Sequence, residues 1–354
     1  MNLNNLIRTH LLKHSALSYA LYPVGLLYAT LQKSCRRYYS GRAYHAPCKV
    51  ISIGNIVSGG SGKTPLTIAL ANMLQEKGLR VAVSHRGYKG EFEHKPTLIN
   101  DSQGLHYAAE QTGDEAWMIA SALKGIPVVV GRNRKEAIRL LLKSYPATEV
   151  VIMDDALQHV QVHRDVEIVS FAAETGIGNG FVLPAGYLRE SLQTLNEHTI
   201  AVVSRKQNQV VRAKWMQDLL KTGSKVFGAC SEPHECVDAK ANVYPLTSLI
   251  GKRLVLVSGI AHPDSFESSV KAVGLVYSRH YAYPDHYAFP QAQVLKDLNS
   301  EMPELILCTQ KDIMKLARHA GIATRLRALV LDYHFDKPEE FLKVVLSSVG
   351  KELR

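Results

Sequence analysis

One run near the start constrains this chain more than any other: Val50-Ile51-Ser52-Ile53-Gly54-Asn55-Ile56-Val57-Ser58-Gly59-Gly60-Ser61-Gly62-Lys63-Thr64. Apolar, β-branched residues over 49–53 predict a strand. The glycines predict a turn in which backbone N–H groups crowd together, and Pro65 to Leu74 carry a helical period that ends near Gly78. Strand, glycine-rich turn and a helix opening on Lys-Thr make a cradle for phosphate. The helix N-terminus adds partial positive charge, Lys63 can reach β and γ oxygens, and the Thr64 hydroxyl can ligate Mg²⁺. The strict pattern G-x-x-x-x-G-K-[ST] asks for glycine where Val57 stands, so the loop is a variant and its context carries the reading. Ser58, Gly59, Gly60, Ser61, Gly62, Lys63 and Thr64 are the expected nucleotide-binding residues, and the expected ligand is a nucleoside triphosphate.

Apolar strands alternate with helical stretches from residue 49 onward. Strands are expected at 49–53, 79–84, 126–130, 148–153, 166–171 and 199–203, and helices near 64–77, 112–124 and 133–143. This alternation predicts an α/β fold with a mostly parallel, P-loop NTPase-like sheet flanked by helices, its site on loops leaving the C-terminal strand ends. Periodicity weakens and charge density rises over 205–250. Strands at 253–257, 304–308 and 327–331 follow, then a closing helix from Pro338 to Lys351, and these predict a second, smaller α/β domain. The expected division is a membrane-associated helical segment at 1–45, a P-loop domain at 46–225 and a C-terminal domain with its linker at 226–354. A chain of 354 residues is long enough for it.

Lys and Arg outnumber Asp and Glu, 42 to 32, and the resulting charge of +10 suits an anionic partner. The basic residues are spread along the chain without a zinc-finger or RNA-binding signature. That sets nucleic acid aside and leaves an acidic membrane surface or a phosphorylated substrate. Five cysteines, at 35, 48, 230, 236 and 308, contain no C-x-x-C and fit a reducing cytoplasm. Cys230, His234 and Cys236 are close in sequence but have no evident fourth ligand for a metal.

Between Lys13 and Lys33 no Asp, Glu, Lys or Arg occurs. The stretch is nearly long enough to span a bilayer, but Pro23, Gly25 and several tyrosines interrupt it. Basic residues flank both sides, Arg8 and Lys13 before it and Lys33, Arg36, Arg37 and Arg42 after it, without the asymmetry of a spanning helix. A helix lying in the cytoplasmic interface, cations on anionic headgroups, is the expectation, and a helix packed on the protein itself is the alternative. No small-residue cleavage site of a secretory signal follows.

Glu149-Val150-Val151-Ile152-Met153-Asp154-Asp155 reads as a buried strand ending in two carboxylates, the way P-loop proteins place an acid beside Mg²⁺. Paired acids at a strand end also cap helices, which is the competing reading. Gln158 and His159 follow and can position phosphate or metal-bound water. His85-Arg86-Gly87-Tyr88, Gly113-Asp114-Glu115 and Gly131-Arg132-Asn133-Arg134 all sit at expected strand ends or loops. Arginine suits phosphate there, because its planar fork holds two oxygens at once. The loop from Gly178 through Leu183-Pro184-Ala185-Gly186-Tyr187-Leu188 to Arg189 and Glu190 offers further groups for phosphate and metal. In the second domain, Tyr283-Pro284-Asp285-His286-Tyr287 places a histidine beside an acid in a turn, a candidate for proton handling.

In this order the motifs resemble the tetraacyldisaccharide 4′-kinase family of the lipid A pathway. The resemblance runs from the N-terminal apolar segment to about residue 312. It rests on Ser-Gly-Gly-Ser-Gly-Lys-Thr at 58–64, Arg-Gly-Tyr at 86–88, Gly-Asp-Glu at 113–115 and Asp-Asp-x-x-Gln-His at 154–159. Leu-Pro-Ala-Gly-x-Leu-Arg-Glu at 183–190 and Asp-His at 285–286 complete it. It implies transfer of the ATP γ-phosphate to the 4′-hydroxyl of a membrane-embedded tetraacyldisaccharide 1-phosphate, giving lipid IVA. The lipid and the cytoplasmic face of the inner membrane are then the expected partners, with no obligate protein partner. The resemblance further implies Lys63 and Thr64 for phosphate and Mg²⁺, and Asp154, Asp155 and Glu190 near the metal. Asp114 and His286 form the dyad that activates the sugar hydroxyl, Gln158 lies at the nucleotide, and Tyr88, Arg134 and Arg189 line the substrate site. Ala156, Ala261-His262-Pro263 and Gln310 depart from the family's usual residues and touch nucleotide or hinge detail.

Two other classes compete. A membrane-associated partition-type ATPase would carry a signature lysine where Ser58 stands and its membrane helix at the other end of the chain. A nucleotide-binding scaffold without chemistry would not need Asp114, Glu190 and His286 together.

Overall fold

The computed structural model describes residues 10–58, 60–101, 104–206, 213–240, 242–260, 262–299 and 301–350. Arg8, Gly59 and Ala261 lie outside the described residues. Two compact units divide the chain: the first holds the residues up to Cys230 and those from His334 onward, the second runs from Ser231 to Tyr333.

The first unit opens with α1 (Ala16–Ser40), β1 (Lys49–Gly54), α2 (Lys63–Glu76), β2 (Val81–His85), α3 (Asp114–Ala122) and β3 (Val128–Val130). It continues through α4 (Arg134–Ser144), β4 (Val150–Met153), β5 (Val166–Ala172), β6 (Thr199–Lys206) and α5 (Ala213–Leu220), and the chain leaves it inside β7 (Lys225–Val237). Strands β6-β5-β1-β4-β2-β3 lie side by side in parallel, with a short antiparallel strand at 97–98 on the β3 edge. Their runs of Val and Ile are nearly unbroken because helices cover both faces. Ile138 and Leu141 of α4 meet Val50, Val129 and Val151 on one face, and Trp215 and Leu219 of α5 meet Val169, Phe171 and Val203 on the other. Ser52 and Ser84 both pair with Met153, and His85 pairs with Val130. This register ends β1, β4, β2 and β3 at one edge of the sheet, so the loops that follow them emerge together.

The second unit contains β8 (Leu254–Ser258), α6 (Pro263–Ala272), β9 (Arg279–Ala282), α7 (Gln291–Asn299) and β10 (Leu305–Thr309). The chain returns to the first unit inside β11 (Leu326–Phe335), and α8 (Pro338–Ser348) closes it. Order β9-β8-β10-β11 is again parallel. Two differences from the sequence expectation stand out. The span at 225–237, expected within a linker, is a strand whose residues are mostly half-buried instead of forming a buried apolar run. The closing helix, expected with the second domain, belongs to the first unit. There the buried Phe341 stacks on Phe335 with ring centroids 4.0 Å apart and meets Phe227 edge-on at 5.4 Å.

A capping box starts α1: Ser15 Oγ accepts from the Ser18 N–H at 3.1 Å and Ser18 Oγ from the Ser15 N–H at 3.3 Å. Ser18 and Gly25, two turns apart, are its buried positions. They face the 177–188 loop, where Asn179 Nδ2 reaches Ser18 Oγ at 3.3 Å and a Cβ on Gly25 would lie 2.9 Å from the Val182 carbonyl oxygen. The rest of the helix surface presents Leu17, Leu26, Leu27 and Leu31, each more than half exposed. Among the described residues no helix is long and apolar enough to cross a membrane.

Candidate active site

Gly62 caps α2 with φ +80°, a left-handed conformation that side chains resist. Two buried bonds fix the loop from below: Asn55 Nδ2 donates to Ser61 Oγ at 3.0 Å, and Ser170 Oγ donates to the Ser61 carbonyl. Lys63 and Thr64 then form the first turn of α2. The Lys63 ammonium lies 3.3 Å from Asp155 Oδ1, so the two strand-end motifs meet across the sheet edge.

The two acids differ. Asp155 is partly open and has φ +46°. Asp154 is fully buried, with Oδ1 accepting from Thr67 Oγ1 at 2.8 Å. Burial raises its carboxyl pKa, opposed by His85 and the Thr67 bond and assisted by Asp155 and Glu115. Its other oxygen, Oδ2, is buried without a hydrogen-bond partner. A buried carboxylate oxygen left open beside a P-loop fits a cation. Among the described residues no three His, Cys, Asp or Glu side chains group as a protein-only metal cage. Mg²⁺ here would therefore take most of its ligands from phosphate and water, as that ion commonly does.

Sequence reading gave His85 only as part of the cluster after β2, with no role of its own. Its Nδ1 accepts from the Gly87 N–H at 2.9 Å, so the ring carries its proton on Nε2, 3.8 Å from Asp154 Oδ2 and 3.6 Å from Glu115 Oε2. Thr67 was also missed, although its place one turn beyond Thr64 on α2 is a signal that could have found it.

A cleft of about 670 Å³ opens beside Asp155, lined by Arg86, Arg132, Arg134, Arg189, Gln158 and His159 among others. Arg134 is buried, with Nη2 donating to the Asp154 carbonyl and Nη1 within 3.4 Å of Ser84 Oγ. Burial pulls its pKa down to about 10, against the pull of Asp154, and it stays cationic at neutral pH. Burial, and then Arg134, Arg164 and Arg86, push His159 down to about 4, so its ring is neutral at pH 7. Tyr88 is half exposed, flanked by Arg86 and Lys89 at 5.4 and 5.6 Å from its ring centre. The side chains expected to bind substrate and the acid pair thus share one sheet edge.

Glu190 is buried and both its oxygens are engaged: Gln158 Nε2 donates to Oε1 at 3.0 Å and Arg36 Nη1 to Oε2 at 3.1 Å. Gln158 also donates to the Asn55 carbonyl at 2.9 Å. Arg36, from α1, sends its other nitrogen to both oxygens of Glu167, at 2.6 and 2.8 Å. Sequence reading placed Arg36 only among the flanking charges, since nothing local marks a partner this distant. Asp114 opens α3 in the first unit. His286 lies in the second, with φ +60°.

The profile of the tetraacyldisaccharide-1-P 4′-kinase family matches residues 17–350. The chain belongs to that family. A tetraacyldisaccharide 4′-kinase from a Polaromonas species is 36% identical over 310 residues, covering 86% of this chain and 80% of that protein. The enzyme of the same name from Psychrobacter arcticus is 33% identical over 328 residues, covering 89% and 82%. The crystal structure of LpxK from Aquifex aeolicus, described as an "apo" form in complex with ATP, is 25% identical, with a TM-score of 0.74 over 94% of this chain and 99% of that one. Tetraacyldisaccharide 4′-kinases are phosphotransferases, and this chain is one of them.

Proposed function

We propose that this chain moves the γ-phosphate of ATP to the 4′-hydroxyl of a tetraacyldisaccharide 1-phosphate, forming lipid IVA, with the first unit holding the phosphates and with Asp114 and His286, as the family resemblance implies, serving the proton of the attacking hydroxyl. The observation that carries the reading is the meeting of Lys63 with Asp155 beside the open Oδ2 of Asp154. Lys63 neutralises charge between the β- and γ-phosphates, and the N–H groups around Gly62 hold phosphate oxygens. Thr64, Asp154 and Asp155 would hold Mg²⁺, which when bound would supply charge neutralisation on the transferring phosphoryl group. Glu190 would reach it only by exchanging Gln158 or Arg36, so in this reading Glu190 chiefly steadies Gln158 at the nucleotide. Arg134 keeps the Asp154 turn in place, while Arg189 and Tyr88 face the phosphorylated sugar. Asp114 takes the proton of the attacking hydroxyl, oriented by His286.

The outward face of α1 rests in the cytoplasmic leaflet of the inner membrane, with Lys33, Arg37 and Arg42 on its headgroups. Its length and exposed leucines support a helix lying in the interface. Incubation with Mg·ATP and a tetraacyldisaccharide 1-phosphate, followed by ³¹P spectroscopy of the lipid, should show a new phosphomonoester at the 4′ position. A lipid that keeps only its 1-phosphate would sink the reading. Leu17→Asp with Leu27→Asp should move the protein from the membrane to the soluble fraction, and an unchanged partition would make α1 a packed helix only.

A further inference from the structure

Arg36 belongs to α1 and lines a cavity of about 360 Å³ together with Arg164 and Glu167, rather than the cleft beside Asp155. Its guanidinium stands between two carboxylates, with Nη1 donating to Glu190 and Nη2 to Glu167. Both acids are tied to the turn that follows Asp155. Arg164 bridges Glu167 Oε1, at 3.1 Å, and the Leu157 carbonyl, at 2.8 Å, while Glu190 accepts from Gln158. Gln158 donates in turn to the Asn55 carbonyl, and Asn55 Nδ2 donates to Ser61 Oγ inside the phosphate loop. The backbone on either side is pinned as well: the Arg189 N–H donates to the Ile56 carbonyl at 2.6 Å and the Ser58 N–H to the Tyr187 carbonyl at 2.9 Å. A path of bonds therefore runs from α1 to Ser61 within the first unit.

Glu190 is only 6% exposed, and a carboxylate that deep is stable where a cation and hydrogen-bond donors surround it. Gln158 brings it a donor without charge, and Arg36 brings the charge. We infer that Arg36 is a positioning residue for the phosphate loop: it holds Glu190 where that carboxylate accepts from Gln158, and Gln158 then fixes the Asn55 peptide whose side chain holds Ser61. Without the guanidinium a buried charge is left uncompensated. Glu190 relieves it by turning toward water or another donor, and the Gln158 amide loses its anchor. Lysine would keep the cation but not the planar fork that spans two carboxylates at once. The inference rests on the reading of this loop as the ATP phosphate site.

Calorimetric titration of Mg·ATP into the full-length protein tests it. Arg36→Gln should raise the Kd for Mg·ATP about tenfold, the effect of losing one charge-assisted bond in a buried network. Arg36→Lys should fall between, near threefold, and takes the place of Arg36→Gln if that variant does not fold. Adding Glu190→Gln to Arg36→Gln removes the unpaired charge and leaves an amide oxygen to accept from Gln158, so the double variant should return to within about threefold of the wild type. Recovery of this kind separates positioning from packing, because a helix merely loosened by the first substitution would not be restored by the second. An unchanged Kd in Arg36→Gln or its lysine substitute, or a double variant no better than Arg36→Gln, would overturn the inference. Failure of the reading it rests on looks different, since the wild type itself would then bind no Mg·ATP.

Discussion

The sheet edge of the first unit and the His286 turn of the second hold their functional groups by different means. At the sheet edge, Asp154 and Arg134 are at most 1% exposed, one following the buried strand β4 and the other opening α4. At the turn, a left-handed residue depends on a short set of polar bonds from Asp312 and Lys311. Groups that bear fixed charge are placed where nothing gives, because electrostatic stabilisation is lost when dipoles have to reorganise. In the proposed function the group on the turn handles a proton, which needs only the right nitrogen at the right place, and a few bonds suffice.

The widest separation between the two regions should come from the dyad. Asp114→Asn and His286→Ala are each expected to lower kcat by about 10²–10⁴-fold with little change in the KM for ATP. The double variant should be scarcely worse than the poorer single one, since effects within a catalytic unit do not add. Strictly multiplicative losses would separate the residues and leave the phosphate site standing. Next, Lys63→Ala should cost about 10²–10³-fold in kcat with an unchanged melting temperature, because it removes one charge from a preorganised site. Substantial turnover in a folded variant would break the comparison at its rigid end.

Smaller effects distinguish the neighbours. Asp155→Asn should raise the Mg²⁺ needed for half-maximal rate by about tenfold, read from metal titrations at saturating ATP. A wild-type titration would make the acid a cap for the turn after β4. The least effect concerns pH. His159 is held down to about 4 from its ordinary 6.5, so the unfolded chain takes up this proton more readily than the folded one. Stability that depends on its neutral ring is whole above about pH 6.5 and declines as pH falls toward 4. Thermal melts at pH 7 and pH 5 should therefore differ more for the wild type than for His159→Asn, and equal slopes would discount the ring.

The legible parts were those written in consecutive residues. Val50–Thr64 declared strand, turn and helix, and Val150–Asp155 declared a buried strand ending in acids, because a parallel sheet covered on both faces demands continuous apolar runs. β7 was not legible, since most of its residues are only half-buried and include Pro233. Nor was the return of α8 to the first unit, decided by three phenylalanines that meet only after folding. At the site, the residue types around the P-loop were readable from their neighbours. Arg36 with Glu190, and His85 wedged between Asp154 and Glu115, join positions whose spacing along the chain carries no period.

The Arg36 fork has a consequence for how the chain is made. Arg36 and Glu190 are 154 positions apart, which at common rates of synthesis is on the order of ten seconds of translation. Until Glu167 is made, 131 positions after Arg36, α1 has neither its carboxylate partners nor the 177–188 loop on which Ser18 and Gly25 sit. The face bearing Leu17, Leu27 and Leu31 is complete from the outset. In the membrane reading proposed above, a nascent chain of this design would meet its lipid surface before its catalytic fold exists.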